Sequence, residues 1–153
     1  MRKLSYILIL GLVFALNGCF EDEKVEVPVE KPQETTLDIA VIASGTKTPM
    51  AVHFFALETD ERFKRLDYFE LMKKKKTKLD GDIITHSKKT LLPGEMEKRA
   101  IKVDKNIRYF AVVVGFQNVE DNDNWRFIQE IIPENKNDIT LMLNQNSMRQ
   151  VKK

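Results

Sequence analysis

From residue 37 to the C-terminus the chain alternates apolar and polar positions with a period of two, the pattern of strands that bury one face. In LDIAVIAS, Leu37, Ile39, Val41 and Ala43 share a side. In MAVHFFAL, Val52, Phe54 and Ala56 take one side and His53, Phe55 and Leu57 the other. These predict two strands joined by GTKTP, a connection short enough for a tight hairpin. RAIKV, IRYFAVVVGFQNV, WRFIQEII and DITLML continue the period, with DKN, EDNDN and PENKN as turns. Tyr109 to Phe116 is apolar on both sides and predicts a central strand. LLPGE places Pro93 and Gly94 at the two central positions of a type II turn.

One segment departs from this period. In DERFKRLDYFELMKKKKTKL, Phe63, Leu66, Phe69 and Met72 fall at three-residue steps, with Tyr68 and Leu71 widening the stripe. That spacing predicts an amphipathic helix or helix pair around 60–78, packed on the strands, with Asp60 as a cap and DGD at 80–82 as its end. Many short strands with polar turns favour an antiparallel two-sheet sandwich of about eight strands over a parallel α/β fold. The fold class is all-β with a helical insertion.

The first 36 residues follow neither pattern. Arg2 and Lys3 precede a thirteen-residue apolar run, Leu4 to Leu16, broken only by Ser5 and Gly11. As a helix it would reach roughly 20 Å, short of the ~30 Å hydrocarbon core, so it suits a secretory signal better than a membrane span. Leu16, Asn17, Gly18 and Cys19 resemble the lipobox of bacterial lipoprotein precursors. By that resemblance residues 1–18 are removed, and Cys19 becomes the first residue, carrying a diacylglycerol thioether and an N-acyl chain. One acyl chain binds membrane only marginally, whereas three hold essentially permanently. Phe20, where aspartate would signal inner-membrane retention, favours the periplasmic leaflet of the outer membrane. Residues 19–36 then form a flexible acidic tether: Pro28 and Pro32 remove backbone donors, and six acidic residues crowd 20–36. Fully extended, that stretch would span about 50 Å. Residues 37–153 are the folded domain.

Charge and residue chemistry narrow the function. The chain carries 25 Lys and Arg against 23 Asp and Glu, and loss of Arg2 and Lys3 with the signal leaves 23 against 23. No net basic field argues for nucleic acid. Cys19 is the only cysteine, so stability must come from a packed core rather than a disulfide. His53 in a strand and His86 in a polar loop do not make a metal or catalytic pair by spacing. Counting an EF-hand from Asp121 puts Arg126 sixth and Ile132 twelfth, which fails its requirements. SGTKTP lacks the ending of a phosphate loop. Lys73 to Lys76 with Lys78 read as an exposed helix end or as a contact to anionic headgroups. Trp125 reads as an inter-sheet core residue, with Arg126 pointing outward.

With these elements in order, residues 37–150 resemble the TssJ family of type VI secretion outer-membrane lipoproteins. The resemblance rests on MAVHFFAL, RFKRLDYFELM, LDGDII, LLPGE, YFAVVVGFQN and NWRFIQ, the most specific pieces being Leu92-Pro93-Gly94-Glu95, the strand ending at Phe116, and Trp125-Arg126. It implies a transthyretin-like two-sheet sandwich that is not enzymatic. The domain would stand in the periplasm, bind the periplasmic C-terminal region of TssM, with TssL in the wider complex, and tether that complex to the outer membrane. The resemblance also assigns partner contact to the loop between the first two strands, here Gly45, Thr46, Lys47 and Thr48. That loop is shorter than in many members, which leaves a plain hairpin as its other reading. A tethered ligand- or glycan-binding lipoprotein is the alternative from another class. A catalytic role comes third.

Overall fold

Residues 31–74, 81–120 and 124–152, together with Pro28, are described by a computed structural model. Cys19, the signal segment, most of the tether, Lys75, Lys76 and Lys78, and the tip of the acidic turn at 121–123 lie outside the described residues. Among the described residues there are eight strands: β1 (Thr36–Gly45), β2 (Met50–Leu57), β3 (Ile83–Leu91), β4 (Met96–Lys102), β5 (Tyr109–Val114), β6 (Arg126–Glu130), β7 (Lys136–Asn144) and β8 (Met148–Gln150). Two short helices, α1 (Glu61–Arg65) and α2 (Tyr68–Lys74), stand between β2 and β3.

The strands form two four-stranded sheets, ordered β4-β1-β7-β8 (sheet A) and β3-β2-β5-β6 (sheet B). The expected sandwich with a helical insertion is present. Five of the six strand pairings are antiparallel, and β1 with β7 is parallel. The parity of β1 sets the core: Leu37, Ile39, Val41 and Ala43 are buried, and in register Ile39 meets Ile139 and Val41 meets Leu141. From sheet B, Val52, Phe54 and Ala56 take the same interior side as their partners Val114, Val112 and Phe110. As its doubly apolar sequence predicts, β5 lies between β2 and β6 and is buried along nearly all its length.

Three expectations about connections are corrected. The loop 45–49 is not a hairpin, because β1 belongs to sheet A and β2 to sheet B. The DKN and PENKN turns likewise carry the chain from one sheet to the other. His86 lies in an edge strand, β3, rather than a polar loop. That strand, IITHSKKTL, is exposed at seven of nine positions, so it offers no alternation to read. An edge strand studded with lysine resists pairing with another chain.

The insertion packs on the outer side of sheet B. Phe63 is fully buried and meets Phe55 edge-on at a centroid distance of 5.1 Å. Leu66 and Leu71 are buried beside it, whereas Phe69, expected in the stripe, is 45% exposed because the chain breaks between two helices. Asp60 makes no capping hydrogen bond and instead forms an ion pair with Lys64. The capping device belongs to α2: the Glu70 amide donates to Asp67 Oδ1 (2.7 Å) and the Asp67 amide to Glu70 Oε2 (3.3 Å).

Arg126 fastens this insertion. It does not point to solvent. Its Nη1 donates to the carbonyls of Phe63 (2.8 Å) and Leu66 (3.0 Å), satisfying backbone acceptors left open where α1 ends. Trp125 is buried as expected, but its ring meets Tyr68 of α2 edge-on at 5.6 Å, and the Arg126 guanidinium lies 4.7 Å from its centroid. Burial raises the Tyr68 phenol above its ordinary value.

Two predictions test this anchorage. Arg126→Ala should cost roughly 1.5–3 kcal/mol, the range for hydrogen bonds to a charged group, and should speed hydrogen exchange at 61–74 before elsewhere. Unchanged exchange there would refute the clasp. Because the folded Tyr68 pKa is raised, its contribution to stability is complete below pH ~10 and is lost as pH rises through the folded value. Tyr68→Phe should therefore flatten the alkaline fall in urea midpoint above pH ~10.

Candidate functional site

Strand directions sort the loops into two groups. β1 leaves Thr36 and ends at Gly45, β2 begins beside it at Met50, and β5 runs antiparallel to β2. The loops 45–49, 92–95 and 145–147, with residues 115–120 and 124–125, therefore share one end of the sandwich. The other end holds Thr36, the start of β3, and the loops 103–108 and 131–135.

At this second end the chain arriving from the tether is tied down. The Val103 amide donates to Thr35 O (2.9 Å), Thr36 N to Asn135 O (3.1 Å) and Glu134 N to Thr35 Oγ1 (2.8 Å), while Lys102 pairs with Glu34. Asn137, buried at the start of β7, organises the ties. Its Nδ2 is shared among the carbonyls of Thr36, Ile132 and Asn135 at 3.0–3.2 Å, and its Oδ1 accepts from Ile132 N at 2.9 Å. Sequence reading missed this residue. Its one signal is an asparagine on the buried parity of NDITLML.

The first end carries the four loop residues singled out from the sequence. Gly45 closes β1 against β7, where an added Cβ would stand 2.5 Å from Asn144 Oδ1 and 3.3 Å from Asn144 Cα, so a larger residue must displace the Asn144 side chain. Thr46 is buried and its hydroxyl donates to Ala43 O at 3.5 Å, which removes it from any contact surface. Lys47 and Thr48 are exposed. Both are held by Gln145 of the β7–β8 turn, whose Oε1 accepts from Lys47 N (2.6 Å) and whose Nε2 donates to Thr48 Oγ1 (3.2 Å).

Beside this loop stands the β3–β4 corner. Glu95 N donates to Leu92 O (3.0 Å), Gly94 has φ +84°, and the Glu95 carboxylate accepts from Leu92 N (2.8 Å), so the type II turn forms as read. Backbone bonds from Gly94 N to Ala43 O and from Ala43 N to Glu95 O splice the corner onto β1 just before the loop. The loop is short and pinned on two sides. It presents a preformed surface.

The two histidines, unrelated in sequence, meet on the outer side of sheet B. His53 Nδ1 and His86 Nε2 are 3.0 Å apart, the ring planes differ by 4° and the centroids lie 5.3 Å apart. Those values describe coplanar rings joined edge to edge through an N–H···N bond rather than a face-to-face stack. His86 also stacks on Phe55 at 4.5 Å. Among the described residues no three His, Cys, Asp or Glu side chains gather into a metal site.

A family model described as "Type VI secretion lipoprotein, VasD, EvfM, TssJ, VC_A0113" matches residues 34–146. No curated protein matches the chain. Among solved structures, it is similar to the T6SS lipoprotein TssJ1 from Pseudomonas aeruginosa at a TM-score of 0.72 and 21% identity, covering 77% of this chain and 95% of that one. It is similar to Serratia marcescens Lip, a membrane-bound component of the type VI secretion system, at 0.70 and 18%, covering 78% and 98%. A chain in the structure of the T6SS protein TssM C-terminal domain (869–1107) from EAEC aligns at 0.59 and 18%, covering 78% and 99%. Members of the matched family are lipoprotein components of a secretion machine, not enzymes. Since the match runs from the strapped Glu34 to Asn146 and so takes in both ends of the sandwich, the chain belongs to the type VI secretion lipoprotein family that includes TssJ.

Proposed function

We propose that this protein is anchored in the outer membrane through a triacylated Cys19, stands in the periplasm, and binds the periplasmic C-terminal region of TssM, joining a membrane complex that also contains TssL. The observation that carries this reading is the separation of the two ends. The tether meets the domain at Thr36, and the loop 45–49 lies beyond ten residues of β1, roughly 33 Å away at ~3.3 Å per residue. An anchor on one end therefore leaves the other free to face a partner.

A chain similar to this one occurs in a structure named for the TssM C-terminal domain, which supports the partner assignment. The aligned chain is about 120 residues long, half of the 869–1107 span in that name. Anchoring raises the local concentration for a partner arriving from the other membrane, so a moderate interface suffices. Pinning of Lys47 and Thr48 by Gln145 lowers the ordering cost of binding.

Titration of soluble residues 20–153 with the TssM periplasmic C-terminal region should saturate. Absence of binding, with tight binding of a glycan instead, would overturn the reading. Gln145→Ala should weaken that binding several-fold with little change in melting temperature. In the full-length chain, Cys19→Ser should abolish fractionation with outer membranes, and wild-type fractionation of that variant would remove the anchor.

A further inference from the structure

The outer side of sheet B carries the insertion, whereas among the described residues the outward positions of β1, β4 and β7 in sheet A stay half-buried or exposed. An uncovered strand face ordinarily carries polar residues on the solvent parity. Here the face changes character along its length. Near the tether end, the register rows are Lys102 with Thr36 and Lys136, then Ala100 with Asp38 and Asp138. These are charged, and Lys136 bridges to Asp38 at 2.9 Å and to Asp138 at 3.9 Å.

Toward the loop end the face turns apolar. Lys98 pairs with Ala40, which faces Thr140, and Val151 N donates to Thr140 O. The last row runs Met96, Ile42 and Met142 across three adjacent strands, with Arg149 opposite Met142. Met96 is 48% exposed, Val151 36%, and Leu92 at the adjoining corner 51%. Two of the six large hydrophobics that the described domain exposes, Met96 and Val151, thus lie at this end of the face, with Leu92 at the adjoining corner.

The charges in these two rows have a single sign. Lys98 and Arg149 carry cations, and neither row contains a carboxylate. Glu97 projects from the opposite side of β4, paired with Arg99 at 3.0 Å. We propose that this Met96–Ile42–Met142 row with its cationic rim is the docking face for a protein segment that presents apolar side chains flanked by carboxylates. The proposal rests on the reading above and makes that segment part of TssM.

Two other occupants fit the face less well. A second copy docked face to face would bring both copies' Lys98 and Arg149 into one interface with no carboxylate in these two rows to offset them. An anionic bilayer surface would meet Asp38 and Asp138 on the same outer face, which oppose its charge. The row is also continuous, through Leu92 and the Glu95-to-Ala43 bond, with the corner that braces the loop 45–49, so one partner can cover both.

The test uses full residues 20–153 of wild type, Met96→Asp and Arg149→Glu, with Phe69→Asp on the insertion as a control, all checked by thermal melting. Arg149 is an exposed position, so that variant keeps its fold even if Met96→Asp does not. Each face variant should weaken binding to the TssM periplasmic region about tenfold, Arg149→Glu through a slower, less salt-dependent association, and Phe69→Asp should bind as wild type. Saturable wild-type binding that both face variants retain in full would overturn this face and leave the partner reading standing. No wild-type binding would overturn both. Self-association by sedimentation, or binding to vesicles of anionic phospholipid, that both face variants abolish while TssM binding persists would assign the face to another occupant and overturn the proposal.

Discussion

The parallel pairing of β1 with β7 sets the orientation of everything else. It brings the first strand of the domain against the penultimate one in the middle of sheet A, aligning Ile39 with Ile139 and Val41 with Leu141. Two neighbours running the same way cannot be joined by a short turn, so the remainder of the domain becomes the crossover. Because both strands start at one end, the ties on Thr35 and Thr36 and the buried Asn137 collect there, and the β1–β2 loop and β7–β8 turn collect at the other. Gln145 can brace Lys47 and Thr48 only because β1 and β7 finish side by side.

Sheet B solves a different problem. Its strands β2 and β5 are apolar on both sides, so one sheet of partners is not enough. The insertion covers the second side, with Phe63 set on Phe55 and Tyr68 on Trp125. Two short helices have little stability alone. Arg126 offsets that by taking the carbonyls at the end of α1, and the Asp67–Glu70 box closes the start of α2. Gly115 belongs to the same arrangement, since an added Cβ there would come within 2.6 Å of the Tyr68 hydroxyl.

Elements whose burial follows a simple parity were legible in the sequence: β1, β2, the doubly buried β5, the type II corner at Pro93 and Gly94, and the amphipathic insertion. Elements defined by what they pair with were not. β3 is polar along both sides and becomes a strand only because β2 offers it a ladder. The loop 45–49 has the length of a hairpin, but length does not say whether the next strand joins the same sheet. Arg126 after a tryptophan looks like a surface charge until an insertion sixty residues earlier supplies two carbonyls. His53 and His86 meet through a diagonal in the β2–β3 register, which no spacing announces. At the loop end, Lys47 and Thr48 are exposed, while burial of Thr46 follows from a turn back to Ala43 that the letters do not encode.

The central position of β1 also decides how the domain bears load. A pull applied at Thr36 and resisted at the far end runs along the strand axis, while its hydrogen bonds to β4 and β7 lie across it on both sides. Every bond of both ladders is then strained together in shear, instead of parting one after another as a peeled edge strand would. An element tied at its first residue and flanked along its length is mechanically the stiffest handle this sandwich offers.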